Sequence, residues 1–174
     1  MSRIYRFLVI ASLFLTVFSK QVFAESSYVL PYPGTMPGSK LYKLDLIKEK
    51  LSEYWYFGDF AQFDYNLQLA DKYLVEAKTL FEYKQYLLGY NALEKSNSYF
   101  KNIPPTLVNA KRNGKDTSDK KAILDQAAKK HVEELIIMKK NVPQVFNWSP
   151  EKAAPTNLNL WKLIDDSIKA RNSI

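Results

Sequence analysis

Residues 60–81 read FAQFDYNLQLADKYLVEAKTLF. The apolar members fall at Phe60, Phe63, Leu67, Ala70, Leu74, Ala77 and Phe81, in steps of three and four. That spacing keeps them on one stripe of an α-helix, as in a helix packed on other helices. A flanking stripe of Tyr65, Leu69 and Tyr73 widens the face, so this helix is expected to touch two neighbours. Asn66, Gln68, Lys72 and Glu76 form its wetter side.

Upstream, residues 25–40 carry Pro31, Pro33 and Pro37. Each biases the residue before it away from the helical region, so an extended leader is expected. Its Tyr28, Val29, Leu30 and Tyr32 would lie as a strap across the helices, burying apolar groups. Ser39 is a candidate cap for a first helix whose Leu41, Leu44, Ile47, Leu51 and Tyr54 share a face. Gly58 ends that helix and Asp59 is placed to cap the next. Between Tyr54 and Tyr65 stand seven aromatics in twelve residues. They form either a ring-filled corner between two helices or a platform for stacking sugars. Tyr56 or Trp55 is the member expected to stay partly exposed.

Downstream, a turn at residues 82–85 leads to a third helix ending near Lys101, with Tyr86, Tyr90, Leu93 and Phe100 on its stripe and Asn97 completing the spacing. Gly89 inside it implies close helix approach. Pro104-Pro105 is expected to end it, and Lys111 to Lys121 to form a mobile basic loop. A fourth helix, Ser118 to Lys140, puts Leu124, Ala127, His131, Leu135 and Met138 on one face. Past Pro143, the residues Val145, Phe146 and Trp148 form an irregular second strap. Asn157 would cap a last helix with Leu160, Trp161, Ile164 and Ile168 inside and Asp165, Asp166, Lys169 and Arg171 mostly outside. The fold class is therefore all-α: an antiparallel bundle of four or five helices with proline-rich extended straps, and residues 41–174 as a single helical domain.

Residues 1–24 have the three parts of a secretory signal peptide: basic Arg3 and Arg6, an apolar run from Phe7 to Phe18, and Val22-Phe23-Ala24 before a cut. Twelve helical residues reach roughly 18 Å, short of the ~30 Å hydrocarbon core. Export to the periplasm, cell surface or medium is expected, with no transmembrane segment after cleavage. Of 25 basic residues, Arg3, Arg6 and Lys20 lie in this leader; the remaining 22 against 18 acids give a net charge of +4. That is too mild to argue nucleic-acid binding, and no aromatic interleaves the basic run at 111–121.

The inventory excludes several chemistries. There is no cysteine, one histidine and no glycine-rich phosphate loop. No cofactor or metal is called for. His131 and Glu134 have an i, i+3 metal-like spacing, but one such pair is ordinary in a helical interface.

Ala70 to Leu93 resembles one tetratricopeptide hairpin through Tyr86-x-x-Gly89-x-x-Ala92-Leu93, without a second copy at the repeat period. A longer match joins Leu30-Pro31-Tyr32-Pro33-Gly34-x-x-Pro37-x-Ser39-x-Leu41-Tyr42-x-Leu44 to Gly58-Asp59 and to Leu67-x-Leu69-Ala70-Asp71-x-x-Leu74-x-Glu76-Ala77. This resembles an uncharacterised family of exported bacterial helical domains, catalogued as a domain of unknown function. The match spans roughly residues 29–100 and departs from the family pattern at Gly38, Asp45 and Tyr73. The resemblance implies an envelope-located interaction module and carries over no catalytic residue.

The expected function is thus non-enzymatic binding of a protein or envelope polymer, with Tyr54, Trp55 and Tyr56 as the binding residues. A carbohydrate or peptidoglycan binder or hydrolase using the Tyr54–Tyr65 corner is the alternative, with Asp59 and Asp64 as its carboxylates. Self-association through the wide face of the second helix is a third reading.

Overall fold

The computed structural model describes residues 26–152 and 154–174. Residues 1–24, read above as a signal peptide, lie outside the described residues. Five helices and one two-stranded sheet make up the described chain: α1 (Tyr42–Ser52), α2 (Asp59–Glu82), α3 (Tyr86–Arg112), α4 (Ser118–Asn141), β1 (Val145–Trp148), β2 (Thr156–Asn159) and α5 (Leu160–Asn172). A 3-10 turn, Glu53–Trp55, extends α1.

The periodic stretch is α2, and its seam is buried from Phe63 onward: Phe63, Leu67, Ala70, Leu74, Ala77 and Phe81 are core, while Phe60 at its start is half-buried. The α2–α3 turn is closed by Lys84 N–H on the Phe81 carbonyl (2.9 Å) and Gln85 N–H on the Leu80 carbonyl (2.8 Å). This paired motif needs a left-handed residue, and Lys84 supplies it at φ 59°. The two helices then run in opposite directions. The Phe81 ring meets Gly89 at the turn, Ser96 Oγ donates to the Ala70 carbonyl midway (2.7 Å), and Asn113 Nδ2 donates to Asp59 at the far end (3.0 Å). A Cβ on Gly89 would stand 2.5 Å from the Phe81 ring, so the close approach inferred from glycine is present.

α3 corrects the expectation that Pro104-Pro105 stops it. The helix runs through both prolines to Arg112. Two backbone bonds are lost, but Phe100, Ile103 and Ala110 are buried on either side, and that packing overrides the local penalty. The basic stretch consequently shrinks to a turn at residues 113–117, with Gly114 in the left-handed region (φ 74°).

α4 buries the stripe foreseen for it: Leu124, Ala127, His131, Leu135 and Met138. The irregular second strap is instead a β-ladder. β1 pairs antiparallel with β2, Val145 opposite Asn159 and Trp148 opposite Thr156. Asn157 therefore lies in a strand, and Asn159 caps α5 by accepting from Lys162 N–H (2.9 Å). Leu160 and Ile164 are buried as expected, whereas Trp161 sits at the rim and donates its indole N–H to the Val142 carbonyl (3.2 Å).

In the leader, Ser26 Oγ donates to the Gln126 carbonyl (2.8 Å) and Tyr28 Oη to Asp71 (2.6 Å), so this segment touches both α4 and α2. Leu30 packs on the core, while Val29 and Tyr32 are exposed.

Candidate functional site

α1 carries the expected apolar face, but that face points outward. Leu41, Leu44, Ile47 and Leu51 are all exposed, Leu44 by 60 %. The reason lies in the surface α1 meets. α2 presents Tyr65, Tyr73 and Glu76 there, whose polar tips need partners. α1 answers with its polar side. Tyr42 Oη donates to Glu76 Oε1 (2.8 Å), Tyr73 Oη donates to Glu49 Oε2 (2.6 Å), and Tyr65 Oη donates to the Glu49 carbonyl (3.1 Å). Lys72 completes the set as an ion pair with Glu49. Tyr73 also stacks parallel on Tyr99 at 5.7 Å.

The electrostatics follow from this enclosure. Burial, reinforced by the hydrogen bond to Glu49, pushes the Tyr73 hydroxyl far above its ordinary value; Tyr42 shifts the same way beside Glu76. Tyr65 is pushed up to about 12, mainly by burial. Burial also raises the Glu76 carboxyl, against the lowering effect of the Tyr42 hydrogen bond. Its Oε2 meets no hydrogen-bond partner among the described residues.

The aromatic corner divides. Trp55 is 80 % exposed, and Tyr54 and Phe57 are exposed with it. Tyr56 is half-buried, its ring 5.0 Å from Tyr65 and its carbonyl accepting from Gln62 Nε2 (2.6 Å). Phe63 and Tyr65 are core. Of the proposed binding trio, Tyr54 and Trp55 are thus available and Tyr56 is largely engaged. Leu44, Ile47, Lys48, Leu51, Ser52 and Trp55 line a shallow depression of about 470 Å³ on the outward face. On the other side of α1, Pro31, Tyr32 and Gly34 of the leader border a second groove of about 500 Å³ with Glu49 and Lys72.

The remaining motif residues have structural positions. Leu30 packs on the core, Pro33 is exposed, Pro37 is half-buried, and Ser39 Oγ accepts from Leu41 N–H (3.3 Å).

Asp59 is the first residue of α2 but makes no side-chain cap; Gly58 holds the cap position at φ 88°. The Asp59 carboxylate instead accepts from Asn113 Nδ2 and Lys115 Nζ (both 3.0 Å), which hold its pKa below the usual carboxylate range. Asp64 is paired with Lys120 at 2.5 Å.

A second constellation is buried among α2–α5. His131 Nε2 lies 2.6 Å from Asp71 Oδ1. Arg171 Nε donates to His131 Nδ1 at 3.0 Å, which makes Nδ1 an acceptor and places the imidazole proton on Nε2, facing Asp71. Arg171 also donates to Asn97 Oδ1 (2.7 Å), the Ser167 carbonyl (3.1 Å) and Ser96 Oγ (2.9 Å), and its guanidinium lies 4.7 Å from the Phe100 ring centre. Arg171 is 2 % exposed, correcting its expected place outside. Burial lowers the guanidinium pKa to about 9, against the raising effect of Asp71. Burial is likewise the main cause of a lowered His131 pKa, opposed by Asp71 and helped by Arg171. An Asp–His pair supplies two of the three members of a hydrolytic triad, but the position a nucleophile would take on Nδ1 is filled by arginine. His131 has no surface exposure. The i, i+3 partner Glu134 is occupied by Lys78 (2.8 Å) and Lys130 (3.4 Å). Among the described residues no cluster of three or more His, Asp or Glu side chains is arranged to hold a metal ion.

Sequence reasoning missed Glu49 and Arg171. Leu160, Ile164, Ser167 and Arg171 do continue one three-and-four stripe, but the charge of Arg171 outweighed its position in the reading. The α2 stripe of Tyr65, Leu69 and Tyr73 is covered by Tyr56, Tyr99 and α1, so it offers no free face for self-association. Among the described residues, no helix is long and apolar enough to cross a membrane. Comparison with protein-family models, with curated proteins and with solved structures gave no match.

Proposed function

We propose that this chain is an exported, non-enzymatic interaction module that holds a protein or envelope component on the outward face of α1. One observation carries the reading: α1 docks by its polar side and leaves Leu44, Ile47, Leu51 and Trp55 in solvent. Singly exposed apolar residues are ordinary, but a contiguous helical stripe of them marks an interaction site. In this reading α2–α5 form an antiparallel bundle, with residues 26–40 strapped across it, and their rigid surface presents α1. Within the stretch from Leu30 to Leu44, Tyr42 is the residue that ties α1 to α2, through Glu76.

A carbohydrate-stacking role is supported by the exposure of Trp55 and Tyr54. Hydrolysis gains no such support, because a general acid needs a raised pKa and Asp59 is held low by Asn113 and Lys115.

The test is fractionation of cells carrying the chain or its Leu44→Glu/Leu51→Glu variant, with folding checked by circular dichroism. The native chain is expected in the envelope fraction and the variant in the soluble one. Identical partition of two folded chains would overturn the proposal.

A further inference from the structure

We infer that the outward face of α1 is built for an anionic lipid surface, an inference resting on the reading of that face as a binding site. The observation is a segregation of charge. At about 100° per residue, and taking Tyr42 as pointing to α2, Asp45 and Glu49 lie within roughly 60° of that direction. Lys43 and Lys48 lie at roughly 100° and 120°, on the same half as Leu44, Ile47 and Leu51, and Lys50 lies at the boundary, at about 80°. All three lysines are exposed, and so is Lys40 just before the helix. The acids of α1 turn inward: Glu49 is tied to Tyr73 and Lys72, and Asp45 is half-buried. Beyond the helix, Glu53 is exposed.

An apolar arc flanked on both edges by lysines suits the boundary of an anionic bilayer. The aliphatic residues enter the headgroup region, and lysine stems lie along the apolar surface with their ammonium groups on lipid phosphates. Tyr54 and Trp55 extend the arc at its C-terminal end, where amphipathic rings settle at headgroup depth. A second copy of the chain fits less well. A two-fold contact would bring this patch against itself and set lysines facing lysines.

The test is binding of the purified full chain to vesicles of phosphatidylcholine alone or mixed with phosphatidylglycerol, at low and high salt. Two variants accompany it: Leu44→Glu/Leu51→Glu, and Lys43→Gln/Lys48→Gln/Lys50→Gln. Phosphatidylglycerol vesicles are expected to bind the native chain and raised salt to weaken binding. Each lysine removed should reduce affinity about fivefold, and the glutamate variant should lose at least tenfold. Equal binding by all three chains, or no binding to either vesicle, would overturn the inference. If the glutamate variant does not fold, the lysine variant decides, since its substituted side chains are exposed. Absent vesicle binding, with envelope association still dependent on Leu44 and Leu51, would overturn lipid as the partner and leave the interaction module standing. Independence of both from those residues would remove both.

Discussion

Arg171 shows how much one buried side chain can organise. Its guanidinium makes four hydrogen bonds, to a histidine, an asparagine, a serine and a backbone carbonyl, on α3, α4 and α5. Asp71 brings in α2 through His131, and the leader through Tyr28. Such a network is costly when half-satisfied. Arg171→Ala is expected to destabilise the chain by about 3–5 kcal/mol, because it removes the cation that offsets the buried Asp71 charge and takes a donor from His131, Asn97, Ser96 and the Ser167 carbonyl. Arg171→Lys should recover little, as an ammonium cannot reproduce the planar fork. Urea unfolding measures both; a loss under about 1 kcal/mol for the alanine variant would refute the network's role. His131 was legible as a buried, hydrogen-bonded residue from its place on the α4 stripe. Arg171 was not, because a charged residue near the end of a helix is ordinarily assigned to solvent.

At the scale of elements, the hydrophobic period located α2 and α4 closely and failed where long-range packing overrode local chemistry. Pro104-Pro105 reads as a stop in isolation, yet the buried residues around it carry α3 to Arg112. Val145 to Trp148 is too short and irregular a run to announce a strand, and its ladder depends on a partner eight or more residues away. Gly89 was legible, and its prediction is sharp. Gly89→Ala gains ~1 kcal/mol of helix propensity but drives a methyl into the Phe81 ring, an overpacking worth about 1–3 kcal/mol. The buried ring has little room to give, so a lower melting temperature is expected by calorimetry. A rise would show that α2 and α3 separate easily. The orientation of α1 was the largest failure. Period alone fixes which residues share a face, not which way the face points. The outward turn follows from the tyrosine tips and the Glu76 carboxylate that α2 offers, a pairing invisible until Glu49 and Tyr42 are seen against them.

At the scale of the whole molecule, the buried imidazole links folding to pH. His131 resists protonation in the folded chain, mainly through burial, while in the unfolded chain it takes a proton near the ordinary value of about 6.5. The unfolded state therefore binds more protons below that value, and stability is expected to fall as pH drops from about 7 to about 5. His131→Asn should flatten that slope while lowering stability at neutral pH. Urea midpoints across the range test this; an unchanged slope would exclude His131 as its source. The proposed interaction lies at this scale too, and it rests on how α1 is displayed. Because the chain has no cysteine, single-cysteine variants report that display without background. The decisive measurement is the maleimide labelling rate of folded Leu44→Cys and Leu51→Cys against Ala77→Cys, which lies in the core. Labelling of the first two near the rate of a free thiol and protection of the third are expected. Protection of all three would mean that the α1 face is buried, and would contradict the interaction surface on which the functional reading stands.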